Sequence, residues 1–216
     1  MKVSVIITCY NYAKYLSRAI RSAINQTLTK EKYEIIVVDD ASIDETQQII
    51  SAYTGLVRSI LLDKNVGTAE ARNIGIRAAL GQYVVNLDAD DYFEENLLQV
   101  ESLFLSLNDD FGAVSCDYFL VNDKETHLKR INGETEPIAC GVMFRKDLLY
   151  DIGLYDPLYR AREDEDLRVR FKNIYNIYNI QLPLYRYRKH NFNLTNNNKI
   201  MSEFEQKLKQ KHEDMP

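Results

Sequence analysis

Apolar positions in the first half of the chain follow two patterns in turn, and these predict alternating strands and helices. Continuous apolar or β-branched runs predict four strands, at 2–8, 33–40, 57–62 and 82–88. Apolar residues at helical spacing predict three helices between them, at 12–26, about 44–53 and 68–80. Gly81 is placed as the C-terminal cap of the third helix. This order predicts an α/β fold with a mostly parallel central sheet and helices on both faces.

The second half has a less regular pattern. It predicts a helix near 94–106, a strand near 113–121, a polar hairpin-like segment near 122–135, a helix at 162–175, one or two strands within 177–190 and a charged terminal helix from 200 onwards. No linker interrupts the pattern. We therefore expect one domain at 1–198, followed by a charged C-terminal helix or tail at 199–216.

Composition narrows the class of protein. The chain of 216 residues has a formal net charge of −5, which argues against a general nucleic-acid binder, because such proteins are usually basic. Its three cysteines, Cys9, Cys116 and Cys140, have no metal-ligand spacing and suggest reduced thiols in the cytoplasm. We expect neither a signal peptide nor a membrane span, because the N-terminus soon turns polar and no long apolar run occurs.

The predicted terminal helix carries an apolar stripe. Ile200, Phe204 and Leu208 lie four residues apart. Because the polar face of the helix mixes both charge signs, the pattern favours packing or self-association over binding to a membrane surface. Homo-oligomerisation through this helix and peripheral association with a membrane both stay open.

Carboxylates gather at two predicted strand ends. Asp39 and Asp40 follow the second strand, and Asp88, Asp90 and Asp91 follow the fourth. Ligands of parallel α/β sheets bind beyond the carboxyl ends of the strands. Residues two apart in an extended chain lie on the same side, roughly 7 Å apart, so the first and second acids of the later group can reach two parts of one ligand. A divalent cation shared with phosphate would offset their repulsion. The alternative is a turn whose aspartates only cap the next helix.

Five segments occur together in one order. They are "TCYNYAKYL", "VVDDASIDET", "NVGTAEARNIGI", "VVNLDADDYF" and "REDEDLRVRF". In this constellation the chain resembles the nucleotide-sugar glycosyltransferases of the GT-A fold, specifically the large inverting family 2, from residue 3 to about residue 195. The resemblance implies a Rossmann-like GT-A domain with a nucleotide-binding half at about 1–92 and an acceptor-side half at about 93–198.

The resemblance implies a nucleotide pocket built from the first motifs. Three residues after the first strand are implied to line the base pocket: Thr8, Tyr10 and Asn11. Asp40, with Asp39 beside it, is implied to accept a hydrogen bond from the base, most often uracil. Gly67 is implied to permit close approach of the backbone, Arg72 to face the nucleotide or its phosphates, and Asp88 to hold the ribose or a metal-bound water. Without the resemblance, the paired aspartates could cap a helix and the arginine could be an exposed helical charge.

The resemblance also implies a cation, Mn²⁺ or Mg²⁺, that bridges the donor diphosphate. Asp90 is implied to bind it together with Asp88, with Asp91 as a less direct partner. The pattern "YRYRKH" near the end adds His190 as a contact to the cation or diphosphate, and Arg188 as a group that neutralises leaving-group charge. Without the resemblance, a histidine after a strand is more often an ordinary surface residue.

The segment "AREDEDLRVR" carries the implied chemistry. In the family that the chain resembles, a Glu-Asp pair at the start of a helix supplies the general base, and here the pair is Glu163 and Asp164. The family pattern continues with Asp-Leu, which matches Asp166 and Leu167. Asp164 is therefore assigned as the base and Asp166 as a structural or acceptor-side residue, although the overlapping pairs leave this choice open. Acids also favour a helix N-terminus without any catalytic function, by about 0.3–1 kcal/mol. The glycine that often precedes the pair in the family is missing.

The segment "GVMFRKDLLYDIGLYDP" matches the acceptor side of the cleft in that family, where Gly141 and Phe144 are implied to shape it. The resemblance thus implies a glycosyltransferase of the hexosyltransferase class. It would move one sugar with inversion from a nucleotide diphosphate sugar, most often a UDP-sugar, to a hydroxyl of a glycan, glycolipid or glycoprotein. We expect it in the cytoplasm or at the inner face of the membrane.

Two alternatives stay open. A sugar-phosphate nucleotidyltransferase usually has a glycine-rich basic loop after the first strand, whereas this chain has "TCYNYAKYL". A non-catalytic nucleotide-sugar-binding protein would have no use for the acid pair at 163–164.

Overall fold

The computed structural model describes residues 2–191 and 193–213. Its strands are β1 (Val3–Cys9), β2 (Tyr33–Asp39), β3 (Arg58–Leu61), β4 (Tyr83–Asp88), β5 (Tyr92–Phe93), β6 (Phe111–Val121), β7 (His127–Ile131), β8 (Val142–Arg145) and β9 (Asn176–Arg188). Its α-helices are α1 (Ala13–Ile24), α2 (Thr46–Ser51), α3 (Thr68–Ala78), α4 (Leu97–Leu107), α5 (Lys146–Asp151), α6 (Glu163–Lys172) and α7 (Asn198–His212).

A central sheet with helices on both faces carries the fold, which confirms the predicted α/β class. Its strand order is β3-β2-β1-β4-β8-β6-β9-β5, and β7 pairs with β6 outside that row. The first four strands of the row are parallel, whereas β8 is antiparallel to β4 and the other half is mixed. In the parallel half, Thr8 lies opposite Asp88 and Cys9 lies opposite Asp39. The strand ends that carry the acids therefore meet at one edge of the sheet.

Apolar side chains pack the helices onto both faces of this sheet. On one face, α1 buries Leu16 and Ile20 completely. Full burial of such a side chain contributes about 1.5–3 kcal/mol. On the other face, α3 lies so close to β1 that a Cβ on Gly75 would stand 2.4 Å from Ile6 Cγ2. Glycine at this position therefore lets α3 bring Arg72 close to the end of β4.

The structure corrects the elements predicted from the pattern. α3 ends at Ala78 and its cap is Ala79 in an extended conformation, so the prediction that Gly81 caps it is wrong. Gly81 is instead pressed against β1, where a Cβ would stand 2.6 Å from the backbone nitrogen of Ser4. The pattern also predicts neither β5 nor β8, which have two and four residues.

The terminal helix α7 packs on the chain itself. Phe204 is buried against Tyr159 and Ala161. The other apolar residues of the stripe pack around this contact: Ile200, Met201 and Leu208. Residues 214–216, the end of the predicted helix, lie outside the described residues. Within 2–191 and 193–213, no helix combines the length and the apolar character that crossing a membrane requires.

Candidate active site

A cleft of about 580 Å³ lies at the carboxyl ends of β1 and β4. Its walls also include the starts of α3 and α6, the segment 136–140 and residues after β9. Most residues predicted for the site line this cleft: Thr8, Tyr10, Asp40, Arg72, Asp88, Asp90, Asp91, Glu163 and Asp164. The other predicted residues do not line it: Asn11, Asp39, Gly67, Asp166, Arg188 and His190.

Asn11 ties the exits of β1 and β2 together, and Asp39 holds the turn that follows β2. The side-chain oxygen of Asn11 accepts from the N–H of Ile43 at 2.8 Å, and the Asn11 N–H donates to Ser42 Oγ at 2.8 Å. Asp39 is fully buried, and its Oδ1 accepts from the N–H of Ser42 at 3.1 Å. Both residues therefore shape this wall of the cleft, and a direct contact of either with a nucleotide base stays a prediction.

Asp40 lines the cleft and also organises the loop before α3. Its Oδ1 accepts from the N–H of Val66 at 2.7 Å. Its Oδ2 accepts from the N–H of Gly67 at 2.9 Å and from Asn65 Nδ2 at 3.0 Å. A carboxylate offers about four acceptor positions, and these three hydrogen bonds use three of them. Gly67 has a φ of 90°, and a Cβ there would stand 2.6 Å from Arg160 Nη1, so this turn requires glycine.

Arg72 joins acids from the two halves of the chain. Its side chain is 2% exposed and donates to Asp88 Oδ1 at 2.8 Å and to Glu163 Oε1 at 2.6 Å. These partners lie 16 and 91 positions away in the sequence. Such a buried guanidinium is tolerated because both of its partners are hydrogen-bonded carboxylates. Its predicted contact with the nucleotide or its phosphates stays a prediction.

Glu163 and Asp164 have different surroundings although they are neighbours at the start of α6. Burial raises the pKa of Glu163 to about 7, although Arg72 acts in the opposite direction. Asp164 has an 18% exposed side chain, and its Oδ2 accepts from Arg168 Nη2 at 3.0 Å. The same nitrogen donates to the backbone oxygen of Ile138 at 3.1 Å. Arg168 thus ties Asp164 to a neighbouring wall of the cleft.

A second cavity, of about 60 Å³, shares the segment 137–140 and Asp164 with the cleft. Gly141 and Phe144, which the resemblance places on the acceptor side, line it. Gly141 has a φ of 68°, and a Cβ there would stand 2.7 Å from Tyr185 Cδ2. Asp164 therefore borders both the large cleft and the region predicted for the acceptor.

Asp90 lines the cleft and His190 supports it. His190 Nε2 lies 2.8 Å from Asp90 Oδ2, and Asn193 Nδ2 lies 3.4 Å from the same oxygen. The His190 side chain is 2% exposed and stacks on Tyr15, with ring centroids 4.9 Å apart.

Among the residues that the structure describes, no three His, Cys, Asp or Glu side chains are grouped so as to hold a metal ion. A divalent cation at Asp90 and Asp88 would take its remaining ligands from phosphate and water, which is how Mg²⁺ is usually bound. The oxygen donors present fit such a cation.

Asp91 and Arg188 hold the end of β9 against the loop after β4. Asp91 is 3% exposed and accepts from Tyr185 Oη and from the N–H of Arg188, each at 2.7 Å. Burial raises the pKa of Asp91 well above its usual range. Arg188 donates to the backbone oxygen of Asp90 at 2.7 Å and to Glu125 at 3.1 Å. Since its side chain is only 3% exposed, its contact with a leaving group stays a prediction.

Asp166 is buried beside α7. Its carboxylate oxygens lie 2.7 Å from Arg170 Nη2, 2.7 Å from Lys211 Nζ and 3.0 Å from His212 Nε2. Burial acts to raise the pKa of Asp166, but the hydrogen bonds from Lys211 and Arg170 lower it overall. Of the two overlapping acid pairs, Asp164 lines the cleft and Asp166 does not. The assignment of Asp164 as the base stays a prediction.

Arg162 lines the cleft, although no role is predicted for it within its motif. It precedes α6 with a φ of 58° and a ψ of 21°. This left-handed conformation costs a residue with a Cβ about 1–2 kcal/mol. Its guanidinium donates to both carboxylate oxygens of Glu165, at 2.7 and 2.8 Å, and to the backbone oxygen of Met201 at 3.1 Å. The one signal in the sequence is the missing glycine before the acid pair.

Comparison with models of protein families shows to which family the chain belongs. The model described as glycosyl transferase family 2 matches residues 4–211. The chain belongs to glycosyl transferase family 2. This confirms the predicted family and its class of enzyme, the glycosyltransferases.

Family relatives cover the chain to different extents. The poly(ribitol-phosphate) β-N-acetylglucosaminyltransferase TarP of Staphylococcus aureus (strain N315) is 44% identical over 101 residues, which are 45% of this chain and 31% of TarP. The uncharacterized glycosyltransferase RP339 of Rickettsia prowazekii is 32% identical over 212 residues, which are 90% of this chain and 66% of that protein. A glycosyltransferase of Rickettsia bellii is 31% identical over 76% of this chain and 25% of its own length. The chain thus spans about a third or less of the length of several curated relatives.

Solved structures share the fold of this family member. S. aureus TarS 1–349 in complex with UDP-GlcNAc has a TM-score of 0.80 and 23% identity, over 91% of this chain and 61% of that one. The mannosyltransferase PcManGT of Pyrobaculum calidifontis, in complex with GDP-Man and Mn²⁺, has a TM-score of 0.71 and 21% identity, over 89% of this chain and 58% of that one. At these identities the likeness shows the fold.

Proposed function

We propose that the chain transfers one sugar from a nucleotide diphosphate sugar, with UDP as the nucleotide, to an acceptor hydroxyl with inversion. The observation that carries the proposal is the placement of Asp88, Asp90 and Asp164 around one cleft. A volume of about 580 Å³ also lies in the range of ligand sites, roughly 300–1,000 Å³. The complexes of TarS with UDP and with UDP-GlcNAc support the choice of donor.

The nucleotide would lie against the exits of β1 and β2. Tyr10 is 44% exposed and lines the cleft with Thr8, so its ring would stack on the base. Asp40 keeps one acceptor position after its three bonds to the loop at 65–67. Uracil presents an N–H between two carbonyl groups, which suits a single acceptor at this position.

The diphosphate would lie near Asp88 and Asp90. These two aspartates would hold the cation, and His190 lies beside Asp90 Oδ2. A bound Mn²⁺ or Mg²⁺ supplies Lewis-acid stabilisation of the charge on the departing diphosphate. The complex of PcManGT with GDP-Man and Mn²⁺ supports the proposal of a cation.

Asp164 would act as the general base. It takes the proton of the acceptor hydroxyl while that oxygen forms a bond to the anomeric carbon. The bond from that carbon to the diphosphate oxygen breaks, and the electron pair leaves with the diphosphate. A base in this position contributes typically about 10²–10⁴-fold to the rate. Because attack occurs on the face opposite the leaving group, a single displacement inverts the anomeric configuration.

We further propose a glycan, glycolipid or glycoprotein acceptor that approaches beside the second cavity, since Asp164 borders both spaces. The names of TarP and TarS make a poly(ribitol-phosphate) chain one acceptor to test.

We also propose that the protein is located in the cytoplasm or at the inner face of the membrane. The three cysteines, which are buried and free, support a reducing compartment.

A thermal-shift panel tests the donor and the cation. Uridine, guanosine and thymidine diphosphates and their sugars are each added with and without Mn²⁺. We expect UDP and a UDP-sugar to raise the Tm more in the presence of Mn²⁺ than in its absence. No shift with any nucleotide, or release of pyrophosphate from a nucleoside triphosphate and a sugar phosphate, would contradict the proposal.

Product analysis tests the stereochemistry. The donor that gives the largest shift is incubated with a panel of acceptors, and the anomeric configuration of the product is read by NMR. We expect the configuration opposite to that of the donor. Retention would exclude the single displacement assigned to Asp164.

A further inference from the structure

The segment that carries the proposed base enters its helix through a left-handed turn. Arg162 has a φ of 58° and lies two positions before Asp164. The backbone oxygen of Arg162 accepts from the N–H of Asp166 at 3.1 Å, within the first turn of α6. The conformation at Arg162 therefore sets the direction in which the chain enters α6, and with it the direction in which Asp164 points.

Arginine does not adopt this conformation readily, because its Cβ comes close to the following carbonyl oxygen, whereas glycine has no such contact. The surroundings of the guanidinium supply a reason for the conformation. It donates to both oxygens of Glu165 at 2.7 and 2.8 Å, within α6. It also donates to the backbone oxygen of Met201 at 3.1 Å and to Glu205 Oε2 at 3.4 Å, both in α7. The side chain is 20% exposed, so these contacts are partly shielded from water.

The helix that receives the guanidinium is anchored by contacts that do not involve Arg162. Phe204 of α7 is buried against Tyr159 and Ala161, which lie in the segment leading to the turn. Lys211 Nζ lies 2.8 Å from Asp156 Oδ2 in the same segment. α7 therefore holds both the approach to the turn and the side chain at the turn itself.

We propose that Arg162 is a positioning residue for the proposed glycosyl transfer, and that α7 acts on the reaction through it. The guanidinium, held by Glu165 and α7, keeps the backbone at position 162 in the left-handed conformation and so keeps Asp164 directed into the cleft. This inference rests on the proposed function, because its effect is on the step that Asp164 performs.

Two substitutions at position 162 separate the effect of the side chain from the effect of the backbone conformation. Arg162→Ala removes the guanidinium and keeps the Cβ, whereas Arg162→Gly removes both. We expect Arg162→Ala to lower kcat about tenfold, which corresponds to about 1.4 kcal/mol, with KM for the donor unchanged. We expect Arg162→Gly to restore most of kcat, because glycine adopts the turn without help. A kcat for Arg162→Ala equal to that of the parent, or an Arg162→Gly variant no better than Arg162→Ala at equal folded fraction, would overturn the inference.

A substitution in α7 tests the connection between the helix and the turn. Glu205→Ala should lower kcat in the parent and have no effect in the Arg162→Gly background, where the guanidinium is missing. Glu203→Ala is the matched control, because Glu203 lies in the same helix and pairs with Lys207 at 2.8 Å. Equal effects of Glu205→Ala in both backgrounds would count against the proposed connection.

Amide hydrogen exchange separates a failure of this inference from a failure of the proposed function. Peptides covering 160–168 should exchange faster in Arg162→Ala than in the parent or in Arg162→Gly, whether or not a donor is turned over. If the parent turns over no nucleotide sugar, the proposed function fails and the exchange result alone decides whether Arg162 holds the turn. Identical exchange in all three proteins would overturn the inference.

Discussion

Arg168 Nη2 lies 3.0 Å from Asp164 Oδ2, four positions along α6. The same nitrogen reaches the backbone oxygen of Ile138 at 3.1 Å. The carboxylate assigned as the base is therefore oriented before an acceptor binds, and it is tied to a wall shared by both cavities. An acceptor hydroxyl that approaches from the second cavity would meet a carboxylate of fixed direction.

Replacing Asp164 by asparagine tests its assignment as the base. We expect Asp164→Asn to lower kcat by about 10²-fold or more, since an amide cannot take the acceptor proton, while the affinity for UDP stays nearly unchanged. Steady-state rates and calorimetric titration with UDP measure the two effects. Asp147→Asn is the matched control, because Asp147 is an exposed acid in the first turn of α5. Unchanged turnover by Asp164→Asn would remove the residue from the mechanism.

Asp90 is expected to couple nucleotide binding to the cation. Asp90→Ala removes an oxygen donor proposed for Mn²⁺, so the gain in UDP affinity that Mn²⁺ produces in the parent should fall about tenfold or more, which corresponds to at least about 1.4 kcal/mol. Titration of UDP at fixed Mn²⁺ measures this gain. The exposed Asp110, which follows α4, supplies the control Asp110→Ala. An undiminished effect of Mn²⁺ in Asp90→Ala would argue against a cation at this residue.

Glu163 should make stability depend on pH in a defined direction. Burial raises its pKa from 4.5 to about 7, so the folded protein binds more protons than the unfolded chain in this interval. Its contribution to the free energy of unfolding therefore decreases as the pH rises from 4.5 to 7. Relative to Glu163→Gln, the parent should lose about 3 kcal/mol across the interval, at about 1.4 kcal/mol for each pKa unit. Urea unfolding at several pH values measures the difference, and a difference that does not vary with pH would contradict the prediction.

Asp91 is expected to stabilise the fold through the two hydrogen bonds that it accepts. Asp91→Ala leaves Tyr185 Oη and the N–H of Arg188 without their acceptor, which should lower the free energy of unfolding by about 2 kcal/mol or more. Asp91→Asn keeps one acceptor oxygen, so its loss should be smaller. Chemical denaturation of both variants measures the two losses. An asparagine variant as unstable as the alanine variant would show that these hydrogen bonds are not the cause.

The parallel half of the fold and the acids at its edge are predictable from local pattern. The runs at β1, β2 and β4 are continuous apolar stretches typical of buried strands, and parallel strands place their carboxyl ends together. Asp40, Asp88 and Asp90 are therefore assignable to one cleft from their positions in the sequence. The acid pair at Glu163 and Asp164 could be assigned only through its resemblance to a family, because a first helical turn rich in acids is common in any helix.

The remaining features depend on contacts that pattern does not encode. β8 lies between β4 and β6 in the sheet, and its pairings join segments distant in sequence. The burial of Asp166 beside α7, which separates it from the cleft that Asp164 lines, is not reported by periodicity. The left-handed backbone at Arg162 is supported by Met201, 39 positions later. The local pattern of "AREDED" shows neither the contact of Asp166 with α7 nor the contact of Arg162 with Met201.

Asp88 and Glu163, from the two halves of the chain, share the single positive charge of Arg72. A ligand that neutralises Asp88 weakens the ion pair between Asp88 and Arg72. The guanidinium of Arg72 then interacts more strongly with Glu163. Because such coupling is reciprocal, protonation of Glu163 must change the hold on Asp88 in turn. If the donor binds beside Asp88, as proposed, its affinity and the protonation of Glu163, at the start of the helix that bears Asp164, must therefore depend on each other.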